Sequence, residues 1–372
     1  MKAEKTKAYV KSLVEKKGLP LFDVCVYKNH EHLFRFYTGT LPVNGKETVF
    51  LYSASKPMTV VGALRLVEKG EICLDDKVSK YLPDYENAFL LDEKGNRVSL
   101  KREMTVRHLF TMTAGLTYWL QTPSILAVKE RLNGQGTTLD FVNAFVGEPL
   151  SFEPGERFQY SLCHDVLGAV VEVASGMRFS EYMKTEIFAP LGMQGTGFHL
   201  EKEKELFPQF TADNGVVEPC ETTNALVFGD NYDSGGAGVV GCVDDYIRFA
   251  DALACGGEAK NGYRLLNEST VETMRTEQLE NITVENAYTC VQGDDYGYGL
   301  GVRTRMKDTE WGLEKGEFGW DGAAGFYLLV DPKNKISIVM NTHVLSWPNV
   351  IGGEHLEIVR CVYEDMQTEG LL

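Results

Sequence analysis

The sequence predicts an α+β fold, an α/β sandwich in which a mixed, mainly antiparallel sheet is built from both ends of the chain, flanked by terminal helices and interrupted by a large, mostly helical insertion. Three observations lead there. Short runs rich in β-branched and aromatic residues occur near the start, at 21–27 and 33–37, and return late, at 298–303, 325–330 and 336–341. Between about Cys73 and Gly262 the apolar spacing is mostly helical, broken by Pro83-Asp84, Gly134-Gln135-Gly136, Glu153-Pro154-Gly155 and Ser234-Gly235-Gly236. The two ends, 1–18 and 358–366, read as helices. The division this implies is a discontinuous sheet domain, 1–58 with 292–372, a helical domain, 59–291, and an active site where they meet.

In chain order, Ala8, Val10, Leu13 and Val14 recur at helical spacing among lysines and glutamates. The runs 21–27 and 33–37, separated by the polar 28–32, form a hairpin pattern. The apolar run 48–52 feeds Ser53, and 58–68 has helical spacing that stops at Lys69-Gly70, a basic residue followed by glycine. Ser53 therefore sits where strand gives way to helix. An apolar helix is expected over 166–173, and Asp331-Pro332-Lys333-Asn334 suits a tight turn between the last two strands.

Composition excludes several function classes. The 372 residues are 44% apolar and 11% aromatic, ordinary for a folded globular chain. With 37 basic against 53 acidic side chains, the net charge of −16 repels phosphate backbones and anionic lipid, so neither nucleic acid nor membrane is an expected partner. No secretory h-region is visible at the N-terminus, which points to the cytoplasm. Eight scattered cysteines without a C-x-x-C pair read as reduced thiols, and His30-Glu31-His32 reads as a turn or strand edge; no metal or cofactor is expected. Gly236-Ala237-Gly238-Val239-Val240-Gly241 fits G-x-G-x-x-G but follows a polar loop rather than a strand, so dinucleotide binding is rejected.

Three stretches carry chemistry. Ser53 heads the one S-x-x-K of the chain, and a lysine three residues on puts both heads on one helix face. A serine hydroxyl needs such a neighbour to take its proton. Tyr160 follows a proline-glycine turn, and a tyrosine, ordinarily near 10, serves as a base only beside a cation. In Phe318-Gly319-Trp320-Asp321-Gly322-Ala323-Ala324-Gly325, small residues beside a strand let a carbonyl approach main-chain N–H groups.

In this order and at these separations the pieces resemble the serine β-lactamase and penicillin-binding-protein superfamily, most closely the class C β-lactamases and the family VIII carboxylesterases. The resemblance extends over Thr105-Val106-Arg107-His108-Leu109 with Thr113-Ala114-Gly115-Leu116, Ala189-Pro190-Leu191-Gly192-Met193, and Ser234 to Gly238 leading to Asp245-Tyr246. It implies Ser53 as nucleophile, Lys56 and Tyr160 as the proton carriers, and an oxyanion hole from the N–H groups of Ser53 and Ala323. Which of Lys56 and Tyr160 is the base in each half-reaction stays open; they form one coupled unit.

The departures shift the expected substrate. Leu162 stands where the second motif has asparagine, and Trp320, a flat uncharged wall, where the third has lysine. Both losses favour neutral esters over β-lactams or cell-wall peptides. Asp321 either faces solvent or caps a turn, or else selects a cationic or hydroxyl-bearing substrate. Gly322 completes the third motif, and Tyr118, Trp119 and Gln121 are candidates for lining the acyl pocket. A Ser53-His164-Asp165 triad is disfavoured because adjacent helical residues point to different faces. The expected function is a serine hydrolase acting through an acyl-enzyme on a small ester. The alternatives are a β-lactamase, D-amino-acid peptidase or acyltransferase of the same superfamily and, more remotely, a catalytically silent binding domain. The expected partner is a small-molecule ester or amide; the sequence leaves the oligomeric state open.

Overall fold

The computed structural model describes residues 1–199, 206–279, 282–284 and 295–372. Its main sheet has seven strands: β1 (Phe22–Lys28), β2 (Glu31–Thr38), β3 (Tyr296–Tyr298), β4 (Arg303–Arg305), β5 (Phe318–Asp321), β6 (Tyr327–Asp331) and β7 (Ile336–Asn341). They lie in the order β3-β4-β5-β6-β7-β1-β2, and every pairing is antiparallel. The first strand thus pairs with the last, Asp23 opposite Asn341, which joins the two ends of the chain in one sheet.

Period-2 alternation explains why this sheet is buried on both faces. Phe22, Val24 and Val26 of β1, Tyr327 and Leu329 of β6, and Ile336, Ile338 and Met340 of β7 share one core with α1 (Glu4–Lys17) and the C-terminal helix. The intervening Cys25, Leu328, Val330 and Val339 belong to the other core, shared with α2 (Ser55–Glu68), α3 (Cys163–Ser175) and α4 (Val243–Ala254). The C-terminal helix is α5 (Glu354–Thr368), and it packs on α1, where Asp365 accepts hydrogen bonds from the Thr6 N–H (2.8 Å) and hydroxyl (2.7 Å). The result is an α+β sandwich.

Several boundaries differ from expectation for local reasons. The polar loop at 28–32 is a two-residue turn: Asn29 and His30 take φ of 49° and 70°, the left-handed pair that matches hairpin twist, and Lys28 pairs with Glu31. The single strand expected at 298–303 is a corner between β3 and β4, where Gly301 takes φ of 75°. Residues 206–239, expected within the helical part, hold only short strand pairs such as Phe210–Thr211 with Glu218–Pro219, because prolines, glycines and asparagines interrupt any helical run. The boundary expected at 291/292 and Cys290 lie outside the described residues.

Candidate active site

Strand Val49–Phe50 pairs with Val240–Gly241 and hands the chain to a 3-10 turn, Tyr52–Ala54, that runs straight into α2. Tyr52 is left-handed at φ 48°, a conformation costing about 1–3 kcal/mol for such a side chain. It is held by its buried phenol, 2.6 Å from Gln209 Oε1 and 3.0 Å from the Thr223 carbonyl. Ser53 follows this kink at the first turn of the helical segment, where N–H groups lack intrahelical partners.

Lys56, fully buried, sits one turn on. Its Nζ lies 3.1 Å from Ser53 Oγ, 2.8 Å from the Gly236 carbonyl and 3.4 Å from the Tyr118 hydroxyl. It also lies over the faces of Tyr160 (4.7 Å) and Tyr118 (5.5 Å), whose rings stack at 5.3 Å. Burial drives the amine down from 10.5 to about 7, against the pull of Asp165 and, secondarily, Cys163. The Cys163 thiol is itself pushed up by burial to about 11, so near neutrality it is uncharged and the opposing pull rests on the ionised form of Asp165.

Tyr160 shares a hydrogen bond with Ser53, and burial holds its phenol well above the usual tyrosine range. Trp320 stacks on it at 5.6 Å and donates its indole N–H to the phenol oxygen at 3.2 Å. The expected flat apolar wall is therefore also a polar partner. An indole N–H only donates, so the phenol oxygen accepts it and keeps its own hydrogen for the Ser53-Lys56 side.

These groups open on a cleft of about 810 Å³. Ser53, Tyr118, Tyr160, Trp320, Asp321, Gly322 and Ala323 line it, together with an apolar group of Leu226, Leu345, Trp347 and Pro348 and the polar Thr211, Asp213 and Ser346. The edge of β5 abuts the nucleophile segment so closely that a Cβ on Gly322 would lie 2.3 Å from the Leu51 carbonyl. Trp347 Nε1 donates to the Gly322 carbonyl at 2.9 Å. Ala323 is exposed at the cleft, and its N–H makes no backbone hydrogen bond among the described residues.

Other candidates are displaced. Asp321 neither caps a solvent turn nor stands free for a cationic substrate: its Oδ1 accepts from Arg303 Nη1 at 2.7 Å in a buried pair, with Glu317 3.8 Å from the same guanidinium. Trp119 is 63% exposed and Gln121 exposed, and Leu162 is buried. None of the three lines the cleft; Trp119 and Leu162 border a small neighbouring hollow with Leu116 and Phe145. His164 and Asp165 diverge as helical geometry requires, His164 facing the Phe110 carbonyl (3.4 Å) and Asp165 accepting from Tyr232 (2.8 Å) and Ser234 (2.6 Å). Among the described residues one trio, His30, Asp251 and Cys255, gathers metal-ligand atom types within 4.8 Å. There Asp251 secures the β1-β2 turn through the His30 N–H (3.1 Å) and Nδ1 (2.8 Å).

Sequence reasoning missed Gly236, Asp165, Arg303 and Trp347. The first two lay in view, one inside the rejected glycine motif and one inside the rejected triad. Arg303 and Trp347 carry no local signal, since strand pairing and a buried turn bring them in.

A family model described as Beta-lactamase matches residues 6–356. Esterase EstB of Burkholderia gladioli is 31% identical over 324 residues, 80% of this chain and 78% of that protein. Monacolin J acid methylbutanoyltransferase of Aspergillus terreus is 26% identical over 309 residues, 76% and 73% of the two chains. The solved structure of EstCE1, described as a hydrolase with promiscuous acyltransferase activity, superposes with a TM-score of 0.78 at 26% identity, covering 97% of this chain and 99% of that one. With that fold, and a match spanning nearly its whole length, the chain belongs to the beta-lactamase family, as a serine hydrolase or acyltransferase.

Proposed function

We propose that the protein is an esterase-like hydrolase that cleaves small neutral esters through an acyl-enzyme on Ser53. One observation carries this reading: a buried lysine amine, brought to about 7, lies 3.1 Å from the Ser53 hydroxyl. Near neutral pH a large fraction of Lys56 is free amine, able to take the Oγ proton as the oxygen attacks the ester carbonyl. The tetrahedral oxyanion is received by the N–H groups of Ser53 and Ala323. Tyr160, held as a phenol, gives its proton to the departing alkoxide and is reprotonated by the Lys56 ammonium, leaving the acyl group on Ser53 and both carriers as they began. Water then attacks the acyl-enzyme by the same route in reverse.

Two features support a neutral ester. Trp320 brings no charge to the third motif, and the cation in the cleft lining, Arg303, is engaged by Asp321, so a substrate carboxylate meets no unpaired cation among the described lining residues. The apolar wall of Leu226, Leu345, Trp347 and Pro348 suits an uncharged acyl or alcohol group. A second reading, acyl transfer to an alcohol, is favoured by the cleft volume, about 810 Å³, enough for a second molecule beside the acyl group. Residues 1–58, 59–291 and 292–372 all contribute to that cleft, which supports treating sheet and helical parts as two domains. Free thiols at the described cysteines fit a reducing compartment, and we place the protein in the cytoplasm on that ground.

The test is the initial rate on short-chain p-nitrophenyl esters and on a chromogenic cephalosporin, with wild type and Ser53→Ala. Ester turnover that vanishes in Ser53→Ala, with little cephalosporin cleavage, is expected. Fast cephalosporin cleavage rejects the ester preference, and ester turnover that survives Ser53→Ala rejects the nucleophile.

A further inference from the structure

We propose that Asp165 is a positioning residue for Lys56: it fixes the Ser234–Gly238 loop so that the Gly236 carbonyl accepts from Lys56 Nζ, and its carboxylate sets how tightly that amine holds a proton. The proposal rests on Lys56 being the base for Ser53.

The loop has a partner at almost every position. The Gly235 carbonyl accepts from Thr59 Oγ1 of α2 at 2.6 Å. Asp165 Oδ2 lies against Gly236, whose N–H favours its ionised form, and the Gly236 carbonyl lies 2.8 Å from Lys56 Nζ. Ser234 Oγ accepts from the Ala237 N–H at 3.0 Å, and the Ala237 carbonyl accepts from Asn224 Nδ2 at 2.9 Å. Only glycine fits against α3 here: a Cβ on Gly236 would lie 2.4 Å from Asp165 Oδ2, and one on Gly235 2.3 Å from the His164 carbonyl. The glycine run that resembles a phosphate loop is instead a close-packed clamp on the amine.

Asp165 anchors that clamp. Fully buried, it takes the Tyr232 and Ser234 hydroxyls on one oxygen and faces Gly236 with the other. Burial raises its carboxyl, while the bonds from Ser234, Tyr232 and Gly236 and the charge of Lys56 pull it back toward the ionised form. A carboxylate buried near Lys56 favours the ammonium and so opposes the desolvation that frees the amine. The remaining groups facing Lys56 are Ser53, Cys163, Tyr118, Tyr160 and His164; those facing Asp165 besides its hydrogen-bond donors are Cys163, Tyr85 and Tyr160. Burial drives the His164 imidazole down to about 3 and raises the Cys163 thiol to about 11, so neither carries charge near neutrality. Asp165 is thus the group whose ionised form counters burial at Lys56.

The sign of the test follows. Asp165→Asn removes a negative charge, so the Lys56 ammonium loses its proton at lower pH, and the acid limb of kcat/KM for p-nitrophenyl acetate moves down by roughly half a unit or more. The Asn amide also opposes the Gly236 N–H, donor against donor, so kcat falls by about tenfold while KM stays within about twofold. Tyr232→Phe removes one donor from Asp165 and leaves less charge on it, so the limb moves the same way by less. Where Asp165→Asn does not fold, Tyr232→Phe decides alone. A limb unmoved in the folded variant, with rate loss that tracks lost thermal stability, overturns the proposal and leaves Asp165 a core residue. A wild-type profile with no acid limb between pH 5 and 9 removes the base assignment instead, and the proposal with it.

Discussion

Two parts of the cleft lining are built differently. Beneath Ser53, each group that handles the proton has several fixed partners: Lys56 has Ser53, the Gly236 carbonyl and two aromatic faces, and Tyr160 has Ser53 and the Trp320 N–H. Elsewhere in the lining, Leu226 from a loop and Leu345, Trp347 and Pro348 from the short strand, turn and helix start after β7 present mainly shape and apolar surface. The first part sets proton affinities and the second selects what fits. Replacements in the first part are therefore expected to cost rate by orders of magnitude, whereas replacements toward the rim change rate little and preference more.

Lys56→Met is the sharpest way to break that contrast. Ester turnover is expected to fall on the order of 10⁴-fold, measured as kcat, while stability rises. Unfolded lysine titrates near 10.5 and the folded amine near 7, so below about pH 7 the fold bears the full cost of a buried ammonium. Between those values the unfolded chain binds a proton the folded one has released, and wild-type stability climbs with pH. Methionine removes the cost, offset by an unpartnered Gly236 carbonyl, so a net gain of about 2 kcal/mol is expected at pH 6, shrinking toward pH 10 in denaturant titrations. A destabilised Lys56→Met at pH 6 contradicts a desolvated amine.

Tyr160→Phe keeps the stacked ring and loses the phenol; kcat is expected to drop about 10³-fold with KM little changed. Trp320→Phe tests the indole N–H alone, and loss of one neutral hydrogen bond predicts a fall in kcat of about fivefold. A fall no larger than in a distant aromatic replacement returns Trp320 to a plain wall. Trp119→Ala and Gln121→Ala, both outside the cleft lining, are expected to leave kcat/KM within about twofold, and a larger change extends the selective part to that loop.

What the sequence made legible follows the same division. Residues 53, 56 and 160 each lie in a short local motif, and a helical i,i+3 spacing is a contact the chain itself guarantees. The strands and terminal helices were readable because alternation and amphipathic spacing record which face is buried. The ion pair of Asp321 was not legible because its partner, Arg303, arrives from the adjacent strand β4, and no local pattern records a cross-strand ion pair. Trp347 was missed because the buried turn after the short strand that follows β7 carries it to Gly322. The glycine clamp at 234–238 was seen as a motif and assigned no role, since its partners, Thr59, Asp165 and Lys56, are 69 to 180 residues away.

The measurement that bears most directly on a free-amine base for Ser53 is the pH dependence of Ser53 phosphonylation by a serine-directed fluorophosphonate, read by intact-mass spectrometry from pH 5 to 9. The probe reports the nucleophile without depending on the natural ester. The expected rate rises with pH through a single midpoint at about 7, and the label maps to Ser53. A rate flat across that range, or a folded protein that takes up no label at Ser53, contradicts it.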